Sequence, residues 1–339
     1  MQILVTGATG KVGQALLAAL PARFPDATLR ALLHSRDLPT RPGLTVVKGS
    51  LADRDLAAMA VQGCTHLVHL ATCKETPDDV MDVTVKGLSW LLEAWRANPL
   101  AQRFVLIGGD AAVGHFFYDP GGPVTEDTPH RAYPGCYALS KVLEEVMLTQ
   151  VGLQYGLDWT CLRAPWIMEK DDFRYSLSFG PGLFGGPDWA ALAGPQQAAA
   201  ARRTGAIPVL QDRTGTAIKR NFVHVSDLVS AICTALTAPA ARQRLYNIAM
   251  DEPVDYGEVA RILATTQGLP SVPIRSTYHS TWLSTPAPRP SLAGGPCMTP
   301  ADLSPNPGPL PARRMIRAGS GTRADPGRKA ATTTTVRED

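Results

Sequence analysis

The first thirteen residues combine a short apolar run with glycines at fixed spacing. Residues 3–6 are apolar or β-branched, and three glycines follow directly before an amphipathic segment. In a strand-turn-helix unit of this kind, the first glycine allows a sharp bend and the second lets a pyrophosphate approach the backbone. The third lets the helix pack closely on the strand, and the N–H groups at the helix start attract phosphate. The predicted dinucleotide-binding residues of this turn are Gly7, Thr9, Gly10, Lys11, Val12 and Gly13.

Alternation of strand-like and helix-like segments continues through the first 165 residues. Strands are predicted at 3–6, 29–33, 45–48, 66–70, 104–107 and 159–163, and helices at 12–20, 56–61, 81–97 and 137–155. Such alternation is typical of βαβ units, in which helices cover both faces of a parallel sheet. The predicted fold class is therefore α/β, with a Rossmann-type doubly wound parallel sheet.

Changes in composition divide the chain into three regions. Residues 1–165 are predicted as the dinucleotide-binding core, and 166–283 as a smaller substrate lobe interleaved with the last core elements. Residues 284–339 contain ten of the 29 prolines and no aromatic residue. A Pro/Arg/Gly-rich segment of this kind buries too little apolar surface to offset its ordering entropy, so we predict a disordered tail. A native tail and a reading-frame change in the gene would both explain so abrupt a shift.

Composition excludes several classes of protein. A hydrophobic content of 45% excludes disorder of the whole chain. No run of about 18 apolar residues suggests a membrane span, and the N-terminus lacks the basic region of a secretory signal. Six scattered cysteines predict reduced thiols, a cytoplasmic location and no metal site. The net charge of +3 is concentrated in the tail, so no nucleic-acid partner is predicted.

A tyrosine and a lysine stand four residues apart in the predicted helix 137–155. Tyr137 and Lys141 therefore share one helix face. A nearby ammonium group lowers the pKa of a tyrosine, which is ordinarily about 10. Tyr137 could then exchange a proton with a substrate hydroxyl during hydride transfer, while Lys141 also binds the nicotinamide ribose. A Y-x-x-x-K pair alone is a weak signal, but together with the glycine turn it predicts a hydride-transferring enzyme.

Further stretches make the chain similar to the extended short-chain dehydrogenase/reductase superfamily and, within it, to the NAD-dependent epimerase/dehydratase family. They cover residues 1 to about 270 in the family's order: VTGATGKVG, HLVHLAT, TVKGLSWLLEA, YALSK, CLRAPW, KRNFVHVSDL and YNIA. The resemblance implies a Rossmann core with a small C-terminal lobe and a bound NAD or NADP. It also implies a sugar-derived or nucleotide-sugar substrate, and it allows a homodimer.

The choice between the two cofactors depends on the end of the second strand. An acid there would bind the ribose 2′-OH of NAD, but this chain has His34, Ser35 and Arg36. A basic or small polar residue suits the 2′-phosphate of NADP, although Arg36 can equally be a solvated loop residue. We therefore favour NADP and keep NAD as the alternative. The remaining predicted cofactor contacts are Ser50, Leu51, Leu70, Ala71 and Thr72.

Three positions depart from the family pattern. Asp110 stands where the family usually has a Ser or Thr beside the tyrosine, and Thr125 is a nearby substitute hydroxyl. An ionised Asp110 would disfavour tyrosinate, so it must be protonated, turned away or replaced in its role. Ser50 replaces the usual acid after the third strand, and Thr84 replaces the usual Asn on the long helix.

Substrate contacts are predicted at the carboxyl ends of the strands, where parallel sheets form their binding crevice. In nucleotide-sugar members an Arg at the position of Arg220 reaches the diphosphate, although a surface Arg is an equal alternative. Phe116 and Trp166 could line the same pocket, although ordinary loop packing is an equal alternative for Phe116. By contrast, His69 and His224 are predicted as core residues. The pair at 144–145 is predicted as a solvated helix face.

Two functions follow from these residues. The first is an NAD(P)-dependent oxidoreductase or epimerase that acts on an alcohol or ketone of a sugar, a sugar derivative or a nucleotide sugar. The second is a cofactor-binding regulator or redox sensor without turnover, which Asp110 and the unusual tail favour. The pair of Tyr137 and Lys141 speaks for the enzyme, since a sensor needs no acid/base group.

Overall fold

A computed structural model describes residues 1–74, 76–170, 172–180 and 187–285. Its strands are β1 (Gln2–Thr6), β2 (Thr28–Leu33), β3 (Leu44–Lys48), β4 (His66–His69), β5 (Arg103–Gly109), β6 (Trp159–Ala164), β7 (Trp166–Met168), β8 (Ile207–Gln211), β9 (Lys219–Arg220), β10 (Phe222–His224), β11 (Arg244–Asn247), β12 (Val254–Asp255) and β13 (Ser271–Arg275). Its α-helices are α1 (Lys11–Arg23), α2 (Arg54–Val61), α3 (Pro77–Asp79), α4 (Gly87–Ala97), α5 (Cys136–Tyr155), α6 (Asp172–Ser176), α7 (Trp189–Ala193), α8 (Pro195–Thr204), α9 (Val225–Thr237) and α10 (Tyr256–Gln267).

The central sheet has seven parallel strands in the order β11-β6-β5-β4-β1-β2-β3. The order reverses between β1 and β4, and ligands of open α/β sheets bind at such a switch point, beyond the carboxyl ends of the strands. The predicted Rossmann-type fold class is therefore confirmed. The predicted strands of the first 165 residues are all present. The central strands β4, β5 and β6 are buried on both faces, whereas the edge strand β3 is largely exposed.

The two faces of the sheet bury different side chains of the same strand. On β1, Ile3 and Val5 pack with helices α1 and α9, whereas Leu4 packs with α2, α4 and α5. Successive side chains of a strand point to opposite faces, so one short apolar run serves two cores. This double burial fixes the position of the glycine turn that follows β1.

A further cluster of buried side chains lies among the elements after residue 165. Its largest members include Phe173, Trp189, Phe222 and Tyr256, and it is backed by α8 and α10. Three two-stranded sheets, β7-β10, β9-β12 and β8-β13, belong to this part of the chain. We retain the division at residue 165 as a proposal about domain organisation.

The helix predicted at 81–97 differs from a simple α-helix. It runs from α3 through a π-helical segment, Val80–Lys86, into α4. Short π segments are frequent at functional sites. Here the segment presents the Thr84 hydroxyl, which accepts a hydrogen bond from the backbone N–H of Cys73 at 2.9 Å. Thr84 thereby fixes the loop after β4.

Backbone contacts of the core reach residue 284. Val124 N–H donates to Trp282 O, Ser284 N–H donates to Val124 O, and the Asn247 amide donates to Ser284 O. Ser284 thus belongs with the core rather than with the tail predicted at 284–339. The tail beyond Thr285 lies outside the described residues.

Candidate functional site

The glycine turn after β1 packs against backbone on two sides. Gly7 has φ +64°, and a Cβ there would lie 2.7 Å from backbone atoms of Leu70 and Ala71. A Cβ on Gly13 would lie 2.5 Å from the carbonyl oxygen of Gly7. The turn therefore requires glycine at both positions, as the sequence predicts. No side chain caps the N-terminus of α1 at Gly10.

A cavity of about 520 Å³ opens beside this turn, at the carboxyl ends of β1, β4, β5 and β6. The predicted site residues that line it are Gly7, Gly10, Lys11, Val12, Gly13, Leu70, Thr72, Asp110, Tyr137, Lys141, Trp166 and Arg220. The structure thus brings the glycine turn, the tyrosine–lysine pair and the predicted substrate arginine to one cavity. Lys74, His115, Tyr133, Asp172, Tyr175 and Ser176 also line it and were not singled out from the sequence.

Other predicted site residues do not line this cavity. Thr125 lies apart, with its hydroxyl 3.4 Å from that of Thr128, and Phe116 is buried behind Arg220. The predicted cofactor contacts outside the cavity are Thr9, His34, Ser35, Arg36, Ser50, Leu51 and Ala71. Among them, residues 34–36 follow β2 and are exposed, whereas Leu51 is buried in the core.

The turn and the loop after β4 are joined by a buried hydroxyl. Thr6 Oγ1 accepts from the backbone N–H groups of Leu70 and Ala71 at 3.2 and 3.3 Å, and lies 2.8 Å from His69 Nδ1. Burial and then Lys141 lower the pKa of His69 to about 3. His69 is thus a core residue, as predicted. His224 is not, because it is only partly buried and caps α9 by accepting from Ser226 N–H.

Lys141 is buried and has an acidic partner on its own helix. Its Nζ lies 2.7 Å from a carboxylate oxygen of Glu144 and donates to the carbonyl of Ile107 at 3.4 Å. Burial lowers the pKa of Lys141, but Glu144 and Tyr137 more than offset this and hold it above the ordinary value. The ammonium group therefore stays charged beside Tyr137, 5.7 Å from the centre of its ring.

The prediction of a solvated face at 144–145 is wrong, since both carboxylates are buried. Glu145 is paired with the guanidinium of Arg163 at 2.8 Å and with His130 Nε2 at 2.9 Å. Burial raises the pKa of Glu145, but His130 and Arg163 hold it below the ordinary value. Charged residues stay buried only when they are paired, and these partners lie on distant elements that the local sequence pattern does not reveal.

Asp110 forms one end of a chain of three polar side chains. Its carboxylate Oδ2 is hydrogen-bonded to His115 Nδ1, and His115 Nε2 lies 2.6 Å from Arg220 Nη2. Asp110 and His115 lie beyond β5, and Arg220 ends β9. Sequence reasoning missed His115, since a lone histidine in a loop carries no signal of its partners. We call these residues the Asp110–His115–Arg220 chain.

The part of the chain that the structure describes shows neither a cluster of metal ligands nor a membrane-spanning helix. Within the described residues, no group of three or more His, Cys, Asp or Glu side chains could hold a metal ion. Over the same residues, no helix combines the length and apolarity needed to cross a bilayer. Cys64, Cys73, Cys161 and Cys233 form no disulfide within the described residues.

Comparison with known proteins identifies the family. The NAD dependent epimerase/dehydratase family matches residues 3–249, and the chain belongs to this family. It is 26% identical over 294 residues to UDP-glucuronate 4-epimerase 2 of Arabidopsis thaliana, which covers 78% of this chain and 63% of that protein. It is 35% identical over 189 residues to sterol demethylase protein B of Methylococcus capsulatus, covering 52% and 55%. The chain thus spans less than two thirds of the length of these relatives.

Solved structures share the fold. A short-chain dehydrogenase/reductase superfamily protein from Agrobacterium tumefaciens, with bound NAD, has a TM-score of 0.74 and 25% identity. The match covers 89% of this chain and 94% of that one. The Thermus thermophilus UDP-glucose 4-epimerase in complex with NAD has a TM-score of 0.61 and 23% identity, over 84% and 91%.

Proposed function

We propose that the protein is an NAD(P)-dependent oxidoreductase or epimerase that acts on an alcohol or ketone of a sugar, a sugar derivative or a nucleotide sugar. One observation carries the proposal: the glycine turn, Tyr137 and Lys141 line the same cavity. A bound dinucleotide can therefore have its pyrophosphate at the turn while a substrate reaches Tyr137. The relatives named as UDP-glucuronate 4-epimerase and the NAD-bound structure from Agrobacterium support this class.

The residues of the turn fit a dinucleotide. Gly7 and Gly13 keep the backbone close together, and the N–H groups at the start of α1 lie at the cavity. When bound, NAD or NADP supplies a nicotinamide that takes or gives a hydride. NADP is our preferred cofactor, because exposed His34, Ser35 and Arg36 follow β2 with no acid among them. NAD is the cofactor named in the related structures.

Tyr137 is the proposed acid/base. In oxidation it takes the substrate hydroxyl proton as the carbinol carbon loses a hydride, and in reduction it returns that proton. Lys141 favours the tyrosinate form, because its charged ammonium group lies close to the phenol ring. A second ammonium group, Lys74 Nζ, lies 5.5 Å from the centre of the same ring. A dehydrogenase and an epimerase share this first step.

Arg220 is the proposed substrate residue of the cavity. A guanidinium group pairs well with carboxylate or phosphate oxygens, so it suits a uronic acid or a nucleotide sugar. The Trp166 side chain lines the cavity beside Arg220, and its ring centre lies 5.1 Å from the guanidinium carbon. An aromatic rim of this kind offers an apolar face to a sugar ring.

A cofactor-binding regulator is the second candidate. The ion pair of Lys141 with Glu144 favours it, because an acid partner weakens the field that Lys141 exerts on Tyr137. The two candidates differ in turnover. The purified protein is to be incubated with NAD or NADP and a panel of sugars, sugar acids and nucleotide sugars. Reduced nicotinamide is followed by absorbance and the sugar products by chromatography, because an epimerase returns the hydride and leaves no net reduced cofactor. We expect turnover with at least one substrate, whereas binding of the cofactor without turnover would favour the regulator.

A homodimer is also proposed, from an apolar stripe on α5. Leu139, Val146 and Leu153 recur at seven-residue spacing and are 49%, 40% and 74% exposed. Large apolar side chains that share one helix face favour packing against another chain. Sedimentation should give a dimer for the wild type and a monomer for Leu153→Glu. A wild-type monomer at all concentrations would contradict the proposal.

A further inference from the structure

Arg220 presents a buried guanidinium at the cavity with only part of its hydrogen-bonding capacity used. The residue is 2% exposed, and His115 accepts from its Nη2. Within the described residues, the buried Nε and Nη1 of Arg220 have no hydrogen-bond partner. Unpaired donors on a buried cation are unfavourable. Arg220 nevertheless lines the cavity, so the geometry points to an anionic group of a ligand that its positive charge attracts there.

The two partners of His115 define its protonation state. A guanidinium group can only donate, so His115 Nε2 must accept and carry no proton. The imidazole proton then lies on Nδ1 and is donated to the Asp110 carboxylate. His115 is therefore neutral, and it joins a carboxylate at one end of the chain to a guanidinium at the other. Burial and Arg220 lower the pKa of His115 more than Asp110 raises it, in agreement with the neutral form.

The surrounding residues hold this arrangement in place. The Arg220 guanidinium carbon lies 4.4 Å from the centre of the Phe116 ring and 5.4 Å from that of Phe222. Such cation–π contacts restrict the guanidinium on the sides that His115 does not contact. His115 has φ +50°, which non-glycine residues adopt rarely, and its N–H donates to the Asp110 carbonyl at 3.0 Å. The loop is thus shaped so that the imidazole reaches a strand 105 residues further along the chain.

We propose that Asp110 and His115 are positioning residues, which hold Arg220 for a carboxylate or phosphate group of the substrate. The inference rests on the proposed function, because Arg220 lines the same cavity as Tyr137. It also accounts for the unusual Asp110. Its carboxylate oxygen faces His115, so its negative charge is compensated through the chain.

Three variants separate the contributions. His115→Leu removes both hydrogen bonds, His115→Gln restores an acceptor for Arg220, and Asp110→Asn removes the charge at the far end. The matched control is Arg213→Leu, which removes an exposed arginine from a turn that does not line the cavity. Binding of glucuronate, UDP-glucose, UDP-glucuronate and uncharged glucose is measured by calorimetry at saturating NAD or NADP. Cofactor affinity is measured separately.

We expect His115→Leu to weaken binding of the anionic sugars by about 10–100-fold, the worth of a charge-assisted hydrogen bond. Asp110→Asn should weaken it less, His115→Gln should recover most of the affinity, and glucose and cofactor binding should not change. Glucuronate carries a carboxylate and UDP-glucose a diphosphate, so the sugar whose binding depends on His115 shows which of the two groups Arg220 binds. Where turnover is found, KM should rise for the anionic substrate while kcat changes little.

Four results would overturn the proposal. The first is unchanged binding of anionic sugars in His115→Leu, and the second is an equal loss of glucose or cofactor binding in that variant. The third is a His115→Gln variant that binds anionic sugars as weakly as His115→Leu does. The fourth is a wild type that binds the anionic sugars no more tightly than glucose. If anion binding depends on His115 but no sugar is oxidised, reduced or epimerised, then the proposed function fails and the positioning role stands.

Discussion

The two sides of the cavity are built in different ways. On the cofactor side, backbone atoms define the site. Gly7 and Gly13 lie close to neighbouring backbone, and Thr6 Oγ1 accepts hydrogen bonds from two backbone N–H groups. On the substrate side, buried polar and charged side chains define it, as in the contact of His115 with Arg220. The first kind depends on spacing within a few residues, whereas the second depends on contacts between distant parts of the chain. We therefore expect an added side-chain atom to disrupt the cofactor side, and the loss of a charged group to disrupt the substrate side.

The largest effect is expected at the point where the two sides meet. Tyr137→Phe removes the proton-transferring hydroxyl and preserves the ring, so activity should fall by roughly 10²–10⁴-fold, the usual worth of general acid–base catalysis. Cofactor affinity should stay nearly unchanged, because the glycine turn is untouched. Steady-state kinetics and cofactor titration check both points. Wild-type turnover in this variant would remove Tyr137 from the mechanism.

A smaller effect is expected from one added carbon on the cofactor side. Gly13→Ala places a Cβ 2.5 Å from the Gly7 carbonyl oxygen, so the turn must shift. We expect a loss of about 1–3 kcal/mol in the free energy of unfolding and weaker cofactor binding. Gly122→Ala is the control, since a Cβ there meets nothing within 4 Å. Equal stability and cofactor affinity in the two variants would show that backbone packing does not define this side.

This comparison also explains what the sequence could predict. The apolar runs and the glycine spacing are local signals, so the seven-stranded core and the turn at Gly7 followed directly from them. Tyr137 and Lys141 were found for the same reason, as neighbours on one helix face. Glu144 looked like a solvated residue, because its burial depends on how α5 packs. His115 was missed because its partner Arg220 lies 105 residues away.

Lowering the pH should reduce the free energy of unfolding, because His69 is buried beside the glycine turn on the cofactor side. The pKa of His69 is lowered to about 3 by burial and by Lys141, whereas an unfolded histidine titrates near 6.5. Between these values the unfolded chain binds the extra proton, so stability is present above about pH 6.5 and is lost as pH falls. The expected slope is about 1.4 kcal/mol per pH unit from this residue.

Urea unfolding at several pH values between 7 and 5 measures this slope. His66 adds to it, because burial and then Arg103 lower its pKa to about 4. His69→Gln should give a flatter pH dependence than the wild type, whatever its stability at pH 7. Identical slopes in the two proteins would mean that His69 does not titrate as a buried neutral group.

The smallest effect concerns cofactor choice. Arg36 is exposed after β2, so its contact with a 2′-phosphate would be screened by solvent. Arg36→Leu should weaken NADP binding by about 3–10-fold. Binding of NAD, which lacks this phosphate, should not change and serves as the internal control. Fluorescence titration with both cofactors decides, and an equal effect on NAD and NADP would contradict the preference for NADP.

The central claim is that Tyr137 moves a substrate proton while a hydride passes to a nicotinamide at the glycine-turn side of the cavity. Transfer of label in a single turnover tests it most directly. Enzyme with saturating NAD or NADP is mixed with UDP-glucose or UDP-glucuronate deuterated at C4. The reaction is quenched during the first turnover, before an epimerase can return the label to the sugar, and the cofactor is examined by mass spectrometry. The account predicts deuterium on the cofactor in the wild type and transfer slowed at least about 100-fold in Tyr137→Phe. Full occupancy by cofactor and sugar with no label transferred, or equal transfer in both proteins, would contradict it.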